Sequence, residues 1–207
     1  MPNSDQLLII FTRNPELGKV KSRLAADVGK QAALDIYKFL LEHTHKVTSS
    51  LKVDKQVWYS NEVPKVDIWN EGSFSKHDQL KDDDLGKRMQ QAFEEGFNKG
   101  YKNISIIGSD LYDISQADLE NAFAKLKNNE AVIGPASDGG FYFLGLSKMI
   151  SEIFANKNWG KDSVLADCLK DLEKYNFEQL PVRNDVDYLS DIINEDAFKP
   201  FLKLQDD

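Results

Sequence analysis

With 207 residues, 41% of them hydrophobic, the chain is long enough for one sizeable core and short for two, so a single domain spanning 1–207 is expected. A formal net charge of −8 removes the general basic face that duplex nucleic acid requires, and 11% aromatic with 29% charged residues is the profile of a folded rather than a disordered chain. The only cysteine, Cys168, permits no internal disulfide, no apolar run approaches the ~20 residues that span a bilayer, and residues 1–6 lack the basic and apolar regions of a signal peptide, so a cytoplasmic protein without nucleic-acid or membrane partners is expected.

Residues 7–11 form a continuous apolar run, the pattern of a strand buried on both faces of a parallel sheet. A loop with Pro15 and Gly18 follows, and then Ala32, Ile36, Phe39, Leu40 and Val47 recur at helical spacing. Residues 56–60 read as a second strand. The polar, irregular stretch 61–83 holds a short strand candidate at 66–69. Leu85, Met89, Phe93 and Phe97, spaced by four, mark one face of a helix that Gly100 ends. Ile104, Ile106 and Ile107 predict a strand with Gly108-Ser109-Asp110 at its carboxyl end. Ser115 with Asp118 has the capping-box pattern of a helix start. Strands are expected at 131–134, 141–146 and 177–181, and helices at 147–155 and 161–174. A loop at 185–187 precedes a last helical segment, and the chain is expected to fray from Lys203. Strands alternating with helices give an α/β protein with a mainly parallel sheet.

Ligands of open parallel sheets bind outside the carboxyl ends of the strands; three clusters fall at such ends, and a late loop adds a fourth, weaker element. Arg13, Lys19, Lys21 and Arg23 lie within eleven positions of an acidic chain, in a loop containing Gly18. Loop amides, a helix N-terminus and cations together suit a polyphosphate, although read alone the run is equally a solvated surface loop. The segment has neither the Walker spacing nor the three glycines of the dinucleotide fingerprint. Ser109-Asp110 places a carboxylate where it serves a metal beside phosphates or caps a turn. Asp138-Gly139-Gly140 between two strands is a turn signal that also lets a ligand approach the backbone. Asp187 in Asp185-Val186-Asp187 offers a second carboxylate to a metal or belongs to a solvated loop. His43, His45 and His77 lack paired metal spacing, Cys168 falls in a helix, and no Gly-x-Ser-x-Gly elbow occurs. Trp159 precedes a helix start, where it packs or lines a pocket.

In their order, Phe11 to Leu24, Asp84-Leu85-Gly86-Lys87-Arg88-Met89, Gly108-Ser109-Asp110, Gly134 to Leu146 and Asp185 to Asp191 resemble a bacterial family of small GT-A-fold transferases, long labelled a domain of unknown function. That family is similar in turn to nucleotide-diphospho-sugar transferases and to small nucleotidyltransferases such as phospholactate and molybdenum-cofactor guanylyltransferases. The resemblance implies a three-layer, Rossmann-like mixed, mainly parallel sheet flanked by helices, with a nucleotide or nucleotide-sugar donor over its carboxyl edge. It implies Mg²⁺ or Mn²⁺ on Asp110 and Asp187, and Asp110, Asp138 and Lys21 as catalytic residues. Arg13, Gly18, Lys19, Lys21, Arg23, Ser109, Gly139 and Gly140 would meet the donor, and an unidentified small molecule would be the acceptor. Three positions depart from the family pattern: Leu111-Tyr112 stand where Cys-Pro is frequent, Ser22 replaces a usual threonine, and Ser137 replaces a common glutamate. A glycosyl- or nucleotidyl-transferase is therefore expected, with a non-catalytic nucleotide- or metabolite-binding module as the alternative on the same fold.

Overall fold

The computed structural model describes residues 2–70 and 73–202. Among them, seven strands form one sheet: β1 (Gln6–Thr12), β2 (Asp54–Tyr59), β3 (Phe74–Asp78), β4 (Asn103–Ile107), β5 (Ala131–Pro135), β6 (Phe141–Leu146) and β7 (Phe177–Gln179), in the order β3-β2-β1-β4-β6-β5-β7. Every neighbouring pair is parallel except those made by β6, which runs antiparallel to β4 and β5. The carboxyl ends of β1, β4 and β5 consequently share one edge of the sheet, and β6 starts from it.

The central strand β1 shows why both faces are covered. Its residues alternate sides, as a pleat requires. Leu8 and Ile10 pack into the layer of Leu34, Tyr37 and Leu41 from α1 (Ser22–Ser49) and Leu119 and Phe123 from α3 (Gln116–Leu126). Leu7 and Ile9 face the opposite layer, with Met89 and Phe93 from α2 (Leu85–Asn98) and Val164, Cys168 and Leu172 from α4 (Val164–Leu172). A third cluster lies outside α1. There Leu24, Val28 and Ile36 pack against Val186, Ile192 and Phe198, which ties the chain's later segments to the start of that helix. Two single-turn 3₁₀ segments and the short α5 (Lys199–Leu202) complete this side.

Several elements differ from the sequence expectation. The strand expected at 66–69 is the 3₁₀ turn Ile68–Asn70, and the strand is β3 instead. The side chain of Asp67 explains this: it accepts the Trp69 amide at 3.0 Å and pairs with Lys76 at 2.7 Å, fixing a turn that drops Trp69 into the core. The helix expected at 147–155 is reduced to a 3₁₀ turn, Ser151–Ile153, and α4 begins later than expected, at Val164. Asn156 at φ 57° and Gly160 at φ +82° interrupt helical geometry between the two. α1 begins at Ser22, ahead of the periodic run, with a non-helical Gly29 inside it. The fraying expected from Lys203 lies outside the described residues. The capping box at Ser115 is present, and no described helix is long and apolar enough to cross a membrane.

Phe93 is fully buried and touches the rings of Phe97 and Phe154. Phe93→Ala is expected to cost about 3–5 kcal/mol of stability, read as a lower urea midpoint with an unchanged m-value.

Candidate active site

The site is organised from the end of β1. Thr12 Oγ1, Tyr37 Oη and Ser109 Oγ form a buried triangle of hydroxyls at 3.0–3.3 Å. Tyr37 also accepts from the Arg13 amide at 3.0 Å and donates to the Arg13 carbonyl at 3.1 Å. This network joins the ends of β1 and β4 to α1 and fixes the start of the basic loop. Ser109 lines the cleft but is only 3% exposed, with its hydroxyl engaged by its own chain.

The basic loop then separates its cations. Lys19 points outward, 67% exposed, and pairs with Glu16 at 2.5 Å. Lys21 turns inward. Its backbone takes a left-handed conformation (φ 47°, ψ 49°) just before α1, and its side chain is only 5% exposed. A non-glycine residue there costs about 1–2 kcal/mol, and the charge it places explains the tolerance. Lys21 Nζ donates to Asp110 Oδ2 at 3.0 Å and to Asp187 Oδ1 at 3.1 Å. Arg23 reaches the other oxygen of Asp187 at 3.0 Å.

Each carboxylate is positioned by its neighbours. Asp110 Oδ1 folds back over Gly108, where a Cβ would stand 2.7 Å from it. The carbonyl of Asp110 accepts from the Val186 amide at 3.4 Å, which brings the 183–187 segment alongside β4. That segment also extends the sheet through the Ala136–Arg183 bridge. Asp191 holds the far side by accepting from the Asp187 and Tyr188 amides at 2.9 and 2.6 Å. Burial presses the Asp110 pKa upward, but the charge and hydrogen bond of Lys21 outweigh it and hold the carboxyl below its usual value. For Lys21 burial works downward, and Asp110 followed by Asp187 reverses the sign, leaving the ammonium raised. The group is charged at any physiological pH.

These residues border a cleft of ≈ 470 Å³ at the carboxyl edge, and Arg13, Lys21, Arg23, Asp110, Asp138 and Asp187 all line it. Gly18 does not. Its positive φ of 74° serves the loop's own turn. Asp138 is exposed and accepts from the Gly140 amide at 2.9 Å. Gly139, at φ +87°, has its missing side chain's space filled by the backbone of Asp162, 2.2 Å from an ideal Cβ. What approaches Gly139 is thus the chain itself, through the segment that leads into α4.

Sequence reasoning missed three residues here. Arg88 lines the cleft from the first turn of α2, with Nη1 donating to Gln79 Oε1 at 2.9 Å and a buried Nε without a protein partner. Gln79, 4% exposed, also lines the cleft, and its amide is anchored to the Trp58 carbonyl at 2.8 Å. Arg88 carried a signal, since it belongs to the Asp84–Met89 segment of the family pattern, but in sequence it reads as the polar face of a helix. The third is Asp185. Burial, then the like charge of Asp110, pushes its carboxyl up to about 7. His43 and His77 lie elsewhere, on the Ile114 carbonyl and the Trp58 ring. The two positions that depart from the family pattern beside Asp110 are packed. Leu111 is buried, and Tyr112 meets the ring of Phe198 edge-on at 4.9 Å.

A family model described as "Uncharacterized protein conserved in bacteria (DUF2064)" matches residues 43–161, more than half of the chain, and the chain belongs to that family. Curated proteins give no match. Among solved structures, a protein of Desulfovibrio desulfuricans G20 assigned as a nucleotide-diphospho-sugar transferase is similar over 97% of this chain and 94% of its own, at 26% identity and a TM-score of 0.86. A nucleotidyl transferase from Methanothermobacter thermautotroptrophicus shares the fold at 12% identity and TM-score 0.59, covering 95% of this chain and 98% of its own. Rv0371c of Mycobacterium tuberculosis H37Rv, in a complex with manganese, does so at 12% identity and TM-score 0.51, covering 97% and 100%. The Rossmann-like α/β architecture is thus that of nucleotide-diphospho-sugar transferases.

Two outcomes check this geometry. Gly139→Val is expected to lose about 2–4 kcal/mol, from a left-handed β-branched residue and overpacking on Asp162, so its melting temperature should fall with or without ligand. Asp185 titrates the other way from a salt-bridged carboxylate. Its folded pKa lies above the unfolded value of 3.8, so it costs no stability below that value and progressively more as pH rises through about 7. In metal-free buffer Asp185→Asn should therefore raise the melting temperature clearly at pH 8 and much less at pH 5. Equal shifts at the two pH values would rule out the buried-charge explanation.

Proposed function

We propose that this family member is a metal-dependent transferase, acting on a nucleotide-sugar or nucleoside-triphosphate donor bound in the cleft at the carboxyl edge. One observation carries the reading: Lys21 Nζ stands between Asp110 and Asp187, two carboxylates from distant parts of the chain, inside a cleft whose walls also hold Arg13, Arg23 and Arg88. Protein carboxylates that share one small cation offer the hard oxygen donors that Mg²⁺ and Mn²⁺ prefer. Among the described residues no group of three or more His, Cys, Asp or Glu residues could hold a metal by itself. The fit is therefore to an ion that takes the rest of its ligands from donor phosphates and water, with Asp110 and Asp187 as the protein's share. The manganese complex of Rv0371c, on the same fold, supports a divalent metal.

When bound there, the ion supplies neutralisation of charge on the phosphate oxygens of the leaving group. The chain's own residues do the remaining work. Lys21 exchanges its two carboxylate partners for donor phosphate oxygens, which suit an ammonium equally well. Arg13, Arg23 and Arg88, which line the same cleft, add charge along the same anion. Asp138, at the cleft's far side, orients the acceptor and receives its proton as the new bond forms and the bond to the phosphate-bearing leaving group breaks. Lys19 provides long-range attraction from the rim. Positioning and charge stabilisation of this kind account for most catalysis of such transfers.

A second reading has an observation of its own. The Lys21 ammonium already satisfies both aspartates, and a protein that only bound nucleotides would need nothing more. Metal dependence separates the two. In a thermal-shift series with nucleoside di- and triphosphates and their sugar conjugates, the transferase reading expects stabilisation that grows when Mg²⁺ or Mn²⁺ is added. A ligand at ~100 times its Kd contributes about 2.7 kcal/mol. Asp110→Asn should abolish the metal-dependent part and lower turnover by roughly 10²-fold or more. Replacing Lys21 and Arg23 with Ala should weaken nucleotide binding by at least about 1.5 kcal/mol per lost contact. Nucleotide binding that ignores the metal would favour the non-catalytic module.

A further inference from the structure

We infer that the pocket beside the phosphate cleft receives a neutral, hydroxyl-bearing ring and discriminates against anionic groups. This inference rests on the transferase reading and names the chemistry of the substrate moiety beyond the donor's phosphates.

The pocket has a volume of ≈ 230 Å³ and opens directly onto the cleft, sharing Phe11, Leu85, Gly108, Asp138 and Gly160 with it. Sites for whole drug-sized ligands span roughly 300–1,000 Å³, so this one suits a single ring with substituents. Its walls are largely apolar, with Met89, Phe141, Trp159 and Val164 among them. Phe141 and Trp159 meet edge to face, 6.3 Å apart at 80°. Trp159 is held in place from behind. The α2 residue Gly86 has no side chain, and a Cβ there would lie 2.7 Å from Trp159 Nε1 and 2.3 Å from the Phe154 carbonyl. The indole is thus a preset, half-buried wall rather than a mobile cover.

The cleft's arginines and Lys21 all lie on one side of the two chambers. Arg13, Lys21, Arg23 and Arg88 all line the cleft, and none of them lines the pocket. The charged residues of the pocket are Asp138, Asp185 and the exposed Lys161. An anionic group placed there would lose water to apolar walls and face the Asp138 carboxylate and the Asp185 carboxyl, with only the solvated Lys161 in compensation. A ring carrying hydroxyls has the matching properties. Its apolar face lies against the aromatic wall, and its O–H groups donate to the carboxylates of Asp138 and Asp185. The phosphates of the reaction therefore belong on one side of Asp138 and the uncharged ring on the other.

Intrinsic fluorescence of the full chain tests this, because Trp58 and Trp69 are 1% and 2% exposed while Trp159 borders the pocket. Titration with phenyl β-D-glucoside is expected to give a saturable change, and phenyl β-D-glucuronide, whose sugar ring itself carries a carboxylate, to bind at least about tenfold more weakly. In the Asp138→Asn, Asp185→Asn double variant, checked for folding by circular dichroism, phenyl β-D-glucuronide should gain most of that factor while phenyl β-D-glucoside should not gain. Should the double variant fail to fold, Asp138→Asn alone, at an exposed position, carries the same expectation at smaller size. Equal affinity of the wild type for both probes would overturn the inference, as would the absence of any saturable response to phenyl β-D-glucoside. Competition identifies the source of the ring. Blocking by UDP-glucose but not by UDP marks it as the donor's sugar, and blocking by neither marks a separate acceptor. Nucleotide thermal shifts run on the same samples keep the two claims apart. A retained metal-dependent shift with the wrong probe preference removes this inference alone, whereas loss of the shift removes the transferase reading beneath it.

Discussion

An ammonium that is 5% exposed can be tolerated only if its charge is met, and Lys21 meets two carboxylates at 3.0 and 3.1 Å. Around that contact the site is assembled. The left-handed turn before α1 aims the side chain inward, Gly108 leaves room for Asp110, and Val186 anchors the Asp187 segment to α1 through its buried side chain. Removing either aspartate leaves the buried Lys21 ammonium less compensated, whereas removing Lys21 leaves two partly exposed carboxylates that solvent screens. The same property makes the contact useful. Oxygens that share an ammonium also suit a divalent ion, and an ammonium released from them is beside the place where phosphates would arrive.

Sheet topology is what brings these groups to one edge. The chain leaves β1 for β2 through α1 on one face and leaves β3 for β4 through α2 on the other, so a crevice opens between β1 and β4 at their carboxyl ends. The hydroxyl triangle of Thr12, Tyr37 and Ser109 closes the floor of that crevice. The antiparallel β6 then starts at the same edge, and its first residue, Phe141, becomes a wall of the second chamber. One chamber thus holds the cations together with Asp110 and Asp187, and the other holds aromatic side chains with Asp185, with Asp138 on the boundary of both. The fold is common to proteins that move sugars and proteins that move nucleotides, so it is this partition, rather than the architecture, that bears on the chemistry.

Much of the frame was legible in the sequence because it follows from local rules. Residues 7–11 and 104–107 are strands buried on both faces and read as apolar runs. The four-residue spacing from Leu85 to Phe97 gave α2, and Ser115 with Asp118 gave the start of α3. The order of short motifs gave the family and the edge at which to look. Where local rules failed, a tertiary contact had replaced them. β3, Phe-Ser-Lys-His-Asp, is a polar edge strand without a hydrophobic pattern, and the more apolar 66–69 is a turn because Asp67 pins it to Lys76 and to the Trp69 amide.

The sequence by itself thus determined the class of the fold and the sheet edge at which the candidate cleft lies, since burial patterns, turn chemistry and motif order are properties of short stretches of chain. It could not distinguish Lys19 from Lys21, two cations of one loop that end 67% and 5% exposed. Nor could it show that Gly139 makes way for Asp162, that Arg88 and Gln79 reach the cleft, or that Asp185 is pressed toward neutrality by Asp110. Those outcomes depend on which groups from distant segments come within a few ångströms, and Coulomb and packing energies at that range are decided only once the sheet has closed its edge.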